Sequence, residues 1–153
     1  MELVQLSGRL RAVKICYSMK VLEGPNADFA GFARQLGLLW VALHGSRASQ
    51  KNRPDSDVDV AFQAERGLSE QQLDSLDEPL RHLADIGNKE LDVTDCCDAG
   101  PVFKMEVAQK GKLLYERASG TFNRFKVQAA LEYADTQHFR DMQLDYLRKQ
   151  YGS

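Results

Sequence analysis

Leu38-Leu39-Trp40-Val41-Ala42-Leu43-His44-Gly45-Ser46-Arg47 carries the first half of a pattern, and Asp57-Val58-Asp59-Val60, separated from Ser46 by ten residues, carries the second. Residues 38–43 are an apolar run of strand length, as a buried strand requires. The chain then turns at residues 44–46. Over residues 57–62 the run begins by alternating acid and apolar residue, the period of a strand with one wet and one buried face. Asp57 and Asp59 therefore stand side by side. Adjacent carboxylates repel, and both stay ionised more easily beside a cation. Hard oxygen ligands of this kind suit Mg²⁺, completed by waters and phosphates. A third acid, Asp92, lies in a second apolar context, Leu91-Asp92-Val93. Were that strand to pair beside the Asp57–Asp59 strand, three carboxylates would converge. That is enough for two metal ions about 3.5–4 Å apart, the arrangement for in-line phosphoryl displacement.

Gly45 permits a tight turn and a close approach of backbone to ligand. Backbone N–H groups at such a turn can hold phosphate oxygens. Ser46 adds a hydroxyl and Arg47 a planar charged fork. An Asp-x-Asp pair alone is common on solvent-facing strands, and a Gly-Ser-Arg turn alone says less. Gly-Ser closing one apolar strand with Asp-x-Asp opening the next is a far more specific combination.

Outward from this centre, residues 26–36 read as a helix: Pro25 and Asn26 open it, Phe29, Phe32, Ala33 and Leu36 share a face, and Gly37 closes it. Residues 47–56 are polar and read as a loop or helical turn. Residues 69–86 read as a helix capped by Ser69, with the stripe Leu73, Leu76, Leu80 and Leu83, and with Pro79 expected to kink or split it. A short strand at 90–94, a short helix at 101–109 and a short strand at 113–116 follow. Residues 121–151 read as one long C-terminal helix, with Phe122, Phe125, Ala129 and Tyr133 at helical spacing. In residues 1–22 a spacing of three and four (Leu3, Leu6, Leu10, Val13) gives way to a spacing of two (Val13, Ile15, Tyr17), and the segment reads as an N-terminal extension. The fold class expected is α+β (mixed α/β), a small mixed sheet flanked by helices. One domain spanning 1–153 is expected, since 153 residues match the common domain size.

Composition narrows the functions. The chain is 43% hydrophobic and 27% charged, a globular balance. No apolar run approaches the ~20 residues of a membrane span, and the start lacks the apolar core of a signal peptide, so a cytoplasmic protein without membrane association is expected. Cys16, Cys96 and Cys97 form no metal-finger spacing and read as reduced thiols. The net charge of −2 divides unevenly: residues 1–54 carry +5, 55–98 carry −10, 99–126 carry +4 and 127–153 carry −1. With a pI near 5.9, an acidic block between basic ones disfavours a nucleic-acid partner and suits acids that hold cations beside a polyanionic small molecule.

Gly45-Ser46, ten residues, Asp57-x-Asp59 and the later Asp92 resemble the DNA polymerase β-like nucleotidyltransferase superfamily. The chain's size and its stretch 101–140, with Lys112-Leu113-Leu114-Tyr115-Glu116-Arg117, Phe122, Phe125, Tyr133, Asp135 and Arg140, resemble minimal nucleotidyltransferase (MNT) antitoxins of HEPN–MNT systems. Ser49-Gln50 stand where many superfamily members carry Arg-Gly. The resemblance implies a nucleotidyltransferase fold, Gly45, Ser46 and Arg47 toward the triphosphate, and Asp57, Asp59 and Asp92 as Mg²⁺ ligands and catalytic acids. It further implies two Mg²⁺ ions, ATP as donor, and transfer of AMP to a tyrosine of a cognate HEPN toxin within a hetero-oligomer. The alternatives are an antitoxin that neutralises by contact, and a transferase acting on a small molecule. His44 reads as a strand-end histidine with its hydrogen bonds satisfied. His82 reads as solvated, His138 as a lesser partner-facing candidate, Lys104 as a surface lysine, and Cys96-Cys97 as lacking what a zinc site needs.

Overall fold

The computed structural model describes residues 25–45 and 57–152. The segments 1–24 and 46–56, and with them the expected extension, Ser46, Arg47 and the polar loop, lie outside the described residues. The elements follow in the order α1 (Pro25–Gln35), β1 (Leu38–His44), β2 (Val58–Ala64), α2 (Glu70–Asp74), α3 (Asp77–Ala84), β3 (Leu91–Asp95), α4 (Pro101–Lys110), β4 (Lys112–Glu116), α5 (Thr121–Asp135) and α6 (Gln137–Tyr151). The strands form one sheet in the order β3-β2-β1-β4. β1 is antiparallel to both β2 and β4, while β2 and β3 run parallel. This is the mixed α+β architecture expected from the alternation of periods.

Each face of the sheet buries its own cluster. On one side Leu38, Val41, Val58, Val60 and Phe62 pack against Phe29 and Ala33 of α1 and Leu80 of α3. On the other, Trp40, Ala42 and Ala61 pack against Val107 and Ala108 of α4 and Phe122, Phe125 and Ala129 of α5. Trp40 anchors this second cluster. Its ring centroid lies 5.0 Å from that of Phe122 and 4.4 Å from that of Phe125, and its indole N–H donates to Gln63 Oε1 at 2.8 Å. A buried indole needs such a partner.

Two expected helices are each divided. The helix expected over 69–86 is α2 and α3, separated at Ser75 and Leu76. Pro79 explains the place: it offers no N–H, and its ring clashes with the carbonyl four residues back, at Ser75. Ser69 caps α2 as expected, accepting from the Gln72 N–H in a reciprocal capping box. Leu76 and Leu80 are buried, whereas Leu73, expected in the same stripe, is 39% exposed because it belongs to the first of the two pieces. The helix expected over 121–151 divides at Thr136, with φ −90° and ψ 4°. Its hydroxyl donates to the Glu132 carbonyl at 2.8 Å and accepts from Arg140 Nη1 at 2.6 Å. A threonine hydroxyl bonded back to its own helix competes with regular backbone geometry. Beyond that point α6 buries none of its residues, and Phe139, Met142, Leu144, Tyr146, Leu147 and Tyr151 are exposed.

Candidate catalytic site at the ends of three strands

The end of β1 and the starts of β2 and β3 meet at one end of the sheet's strands. The antiparallel register sets His44 opposite Asp59, and the parallel register sets Asp59 beside Asp92. Val58 and Val60 face the α1–α3 cluster, as do Leu91 and Val93. Alternation therefore turns Asp59 and Asp92 to the other face, toward α4. Asp57 immediately precedes β2 and is exposed, as is Asp92; Asp59 is half-buried. Burial pushes the Asp59 carboxyl above its ordinary value of 3.8, the charges of Asp92, Asp57 and Glu106 push the same way, and His44 opposes them. The three acids thus share one electrostatic environment, which an added positive charge relieves.

Gly45 fixes how closely backbone meets carboxylate. Its φ is +71°, a conformation glycine adopts without steric cost. A Cβ there would overlap Asp59 Oδ2 and stand 3.0 Å from Asp59 Cγ. Asp59 therefore occupies the space that any other residue at position 45 would fill.

His44 differs from the sequence expectation. It is buried, yet among the described residues its Nε2 has no hydrogen-bond partner. Burial lowers its pKa from the ordinary 6.5, while Asp59, Glu106 and Asp92 act against that shift. Phe103 of α4 stands edge-on to it with ring centroids 5.1 Å apart. Phe103 and Glu106 were not singled out from sequence. They lie three apart on one helix and so share a face, but nothing local shows that this face looks onto the strand ends. Lys104 points elsewhere: its Nζ pairs with Glu132 of α5 at 2.9 Å, with only 17% of its side chain exposed. His82 and His138 are exposed. Phe122 and Phe125 are core residues, and Tyr133 lies under the Arg140 guanidinium, 3.6 Å from its ring centroid.

Among the described residues, no three His, Cys, Asp or Glu side chains stand close enough together, as they lie, to enclose a metal ion. The donors nonetheless fit a hard cation: carboxylate oxygens, with Asp92, Asp57 and Glu106 all acting on Asp59 by repulsion that a cation relieves.

Residues 31–120 match the family model described as polymerase beta, nucleotidyltransferase. The chain belongs to that family. This nucleotidyltransferase also resembles solved structures. It is 23% identical, at a TM-score of 0.64, to a chain of a toxin-antitoxin crystal structure with AMP-PNP, covering 81% of this chain and 98% of that one. It is 22% identical, at a TM-score of 0.59, to a chain of a tri-AMPylated Shewanella oneidensis HEPN toxin in complex with MNT antitoxin, over 80% of this chain and 95% of that one. A further crystal structure from Shewanella oneidensis matches at 18% identity and a TM-score of 0.60, over 80% of this chain and 95% of that one. At these identities the likeness shows the fold of the nucleotidyltransferase. No curated protein matches its sequence. Among the described residues no helix is long and apolar enough to cross a membrane.

Proposed function

We propose that this nucleotidyltransferase is an Mg²⁺-dependent antitoxin that transfers AMP from ATP to a tyrosine of a cognate HEPN ribonuclease toxin and so silences it. The observation that carries the reading is the register of β2 with β3, which sets Asp59 beside Asp92 on the face that also holds the Gly45 turn. The family supplies the reaction class. Neighbours of the same fold are a toxin-antitoxin with AMP-PNP and an AMPylated HEPN toxin with its MNT antitoxin.

In this reading Asp57, Asp59 and Asp92 hold Mg²⁺, which neutralises phosphate charge and lowers the barrier to displacement at phosphorus. Gly45, Ser46 and Arg47 hold the triphosphate, with the Gly45 turn bringing backbone close to it. The phenolic oxygen of the acceptor bonds to the α-phosphorus as the bond to pyrophosphate breaks. The phenol, with an ordinary pKa near 10, is mostly protonated at neutral pH, and Asp92 takes its proton. The chain itself mainly positions the reactants and neutralises charge.

Intact mass of the toxin after incubation with the chain, Mg²⁺ and ATP tests the reading. Mass gains in whole adenylyl units are expected, absent without ATP and absent with Asp57→Ala/Asp59→Ala, a variant expected to keep its fold. Transfer retained by that double variant overturns the assignment. A second reading, neutralisation by contact, is favoured by the exposed apolar side chains of α6. Loss of toxin activity without nucleotide identifies it, whereas neither mass gain nor neutralisation points to a small-molecule acceptor.

A further inference from the structure

His44 closes β1, with 8% of its surface exposed and Nε2 unpaired. A buried ring nitrogen without a partner carries a desolvation cost that is recovered only where it finds one. Among the described residues the carboxylates that act on His44 are Asp59, then Glu106 of α4 and Asp92, with Asp59 the strongest. Phe103 stands edge-on to the ring and offers no acceptor. The register sets Asp59 directly across the ladder, and alternation turns it to the same face as Phe103 and α4. Asp59 Oδ2 in turn lies over the backbone of Gly45, the residue after His44. A carboxylate that gives one oxygen to a cation has a second oxygen to satisfy, and metal ligands are commonly oriented by an outer hydrogen bond of this kind.

We propose that His44 is a positioning residue for Asp59, donating its Nε2–H to one carboxylate oxygen so that the other is held toward the cation. The proposal rests on the reading of Asp59 as a metal ligand. The imidazole acts as a neutral donor, with its second nitrogen carrying no proton. Phe103 limits the ring's freedom to turn away, and Gly45, lacking a Cβ, leaves Asp59 room to swing toward the donor. In the structure as it stands the bond is not made, so it forms as the site loads. Residues 44 and 59 are thereby one unit: the strand ladder brings them together, and the cation completes the contact.

The test uses the full chain with Mn²⁺ and a non-hydrolysable ATP analogue, reading free Mn²⁺ by electron paramagnetic resonance, so that no turnover is involved. His44→Phe keeps an aromatic ring beside Phe103 and removes the donor. A weakening of Mn²⁺ binding by roughly 10–100-fold is expected, the range typical of a lost outer-sphere partner. His44→Gln, whose amide nitrogen reaches about as far as Nε2, is expected to recover most of it. If the Phe variant does not fold, His44→Met carries the same comparison. Asp59→Asn is the control for the underlying reading. Unchanged affinity in His44→Phe with loss in Asp59→Asn overturns the proposal alone. Unchanged affinity in both overturns the metal site itself. Loss in His44→Phe without recovery in His44→Gln assigns His44 to packing and likewise overturns the proposal.

Discussion

Gly45→Ala separates two costs that this position combines. The first is conformational: a φ of +71° carries about 1–2 kcal/mol for a residue with a Cβ. For a domain of this size each kcal/mol shifts Tm by about 2–4 °C, so a fall of roughly 2–8 °C is expected. The second cost is the collision with Asp59. The new Cβ overlaps Oδ2 and sits 3.0 Å from Cγ, and ordinary contact between heavy atoms is about 3.5–4.0 Å. The carboxylate must retreat by about 1 Å. A displacement of that size in a reacting array costs about 100-fold in rate. Gly87→Ala is the matched comparison, since its φ is +59° and a Cβ there meets nothing within 4 Å. Both variants are expected to melt at lower temperature by similar amounts, but only Gly45→Ala is expected to lose adenylyl transfer, measured as initial rate by intact mass of the acceptor. Equal transfer rates in the two variants, at equal loss of Tm, would refute the reasoning that Gly45 is kept small by Asp59.

Two further outcomes follow from the rest of the molecule. Arg117 Nη2 donates to Glu65 Oε1 at 2.6 Å and holds that carboxyl below its ordinary value of 4.5. Its contribution to stability is present above 4.5 and lost as pH falls through the lower folded value. The Tm difference between wild type and Arg117→Gln should be small, salt-sensitive and present at neutral pH, and should shrink progressively as pH falls below 4.5; a difference that grows on acidification contradicts the assignment. The Cys96 thiol is 1% exposed, and burial, with Asp95 and Cys97 adding to it, pushes its pKa up to about 12. Iodoacetamide at pH 8 should leave Cys96 unlabelled in the native chain and label it in urea, as peptide mass analysis would show; native labelling of Cys96 at the rate of Cys97 contradicts its burial.

Much of this was legible because the decisive signals are local. Val58-Asp59-Val60 and Leu91-Asp92-Val93 each state which face is buried, and alternation does the rest. Pro79 announced a break in the helix over 69–86, and the clash it creates falls where α2 ends. Other features depend on distant partners. The bend at Thr136 is not one of them: its hydroxyl contacts, to the Glu132 carbonyl and Arg140, lie four residues to either side, but a helical threonine can bond back to its own turn with or without a bend, so the residue pattern alone does not separate the two. His44 was expected to be satisfied, and its unpaired nitrogen appears only once Phe103 and Asp59 are placed around it. Phe103 and Glu106 stayed hidden for the same reason: a helix face is readable, but not what it looks upon.

The parallel pairing of β2 with β3 also sets a clock. Asp59 meets Asp92 only through a ladder between Val58–Ala64 and Leu91–Asp95, with α2 and α3 folded in between. Parallel strands require such a crossover, and contacts between distant parts of a chain form slowly. A growing polypeptide that has left the ribosome only as far as α3 carries Asp57 and Asp59 but lacks the third acid. β1 must further wait for β4, synthesised later still, before its second edge is covered. Competence in catalysis therefore arrives after translation of nearly the whole domain. For a nucleotidyltransferase built this way, the interval between being made and being able to act is written into the order of its strands.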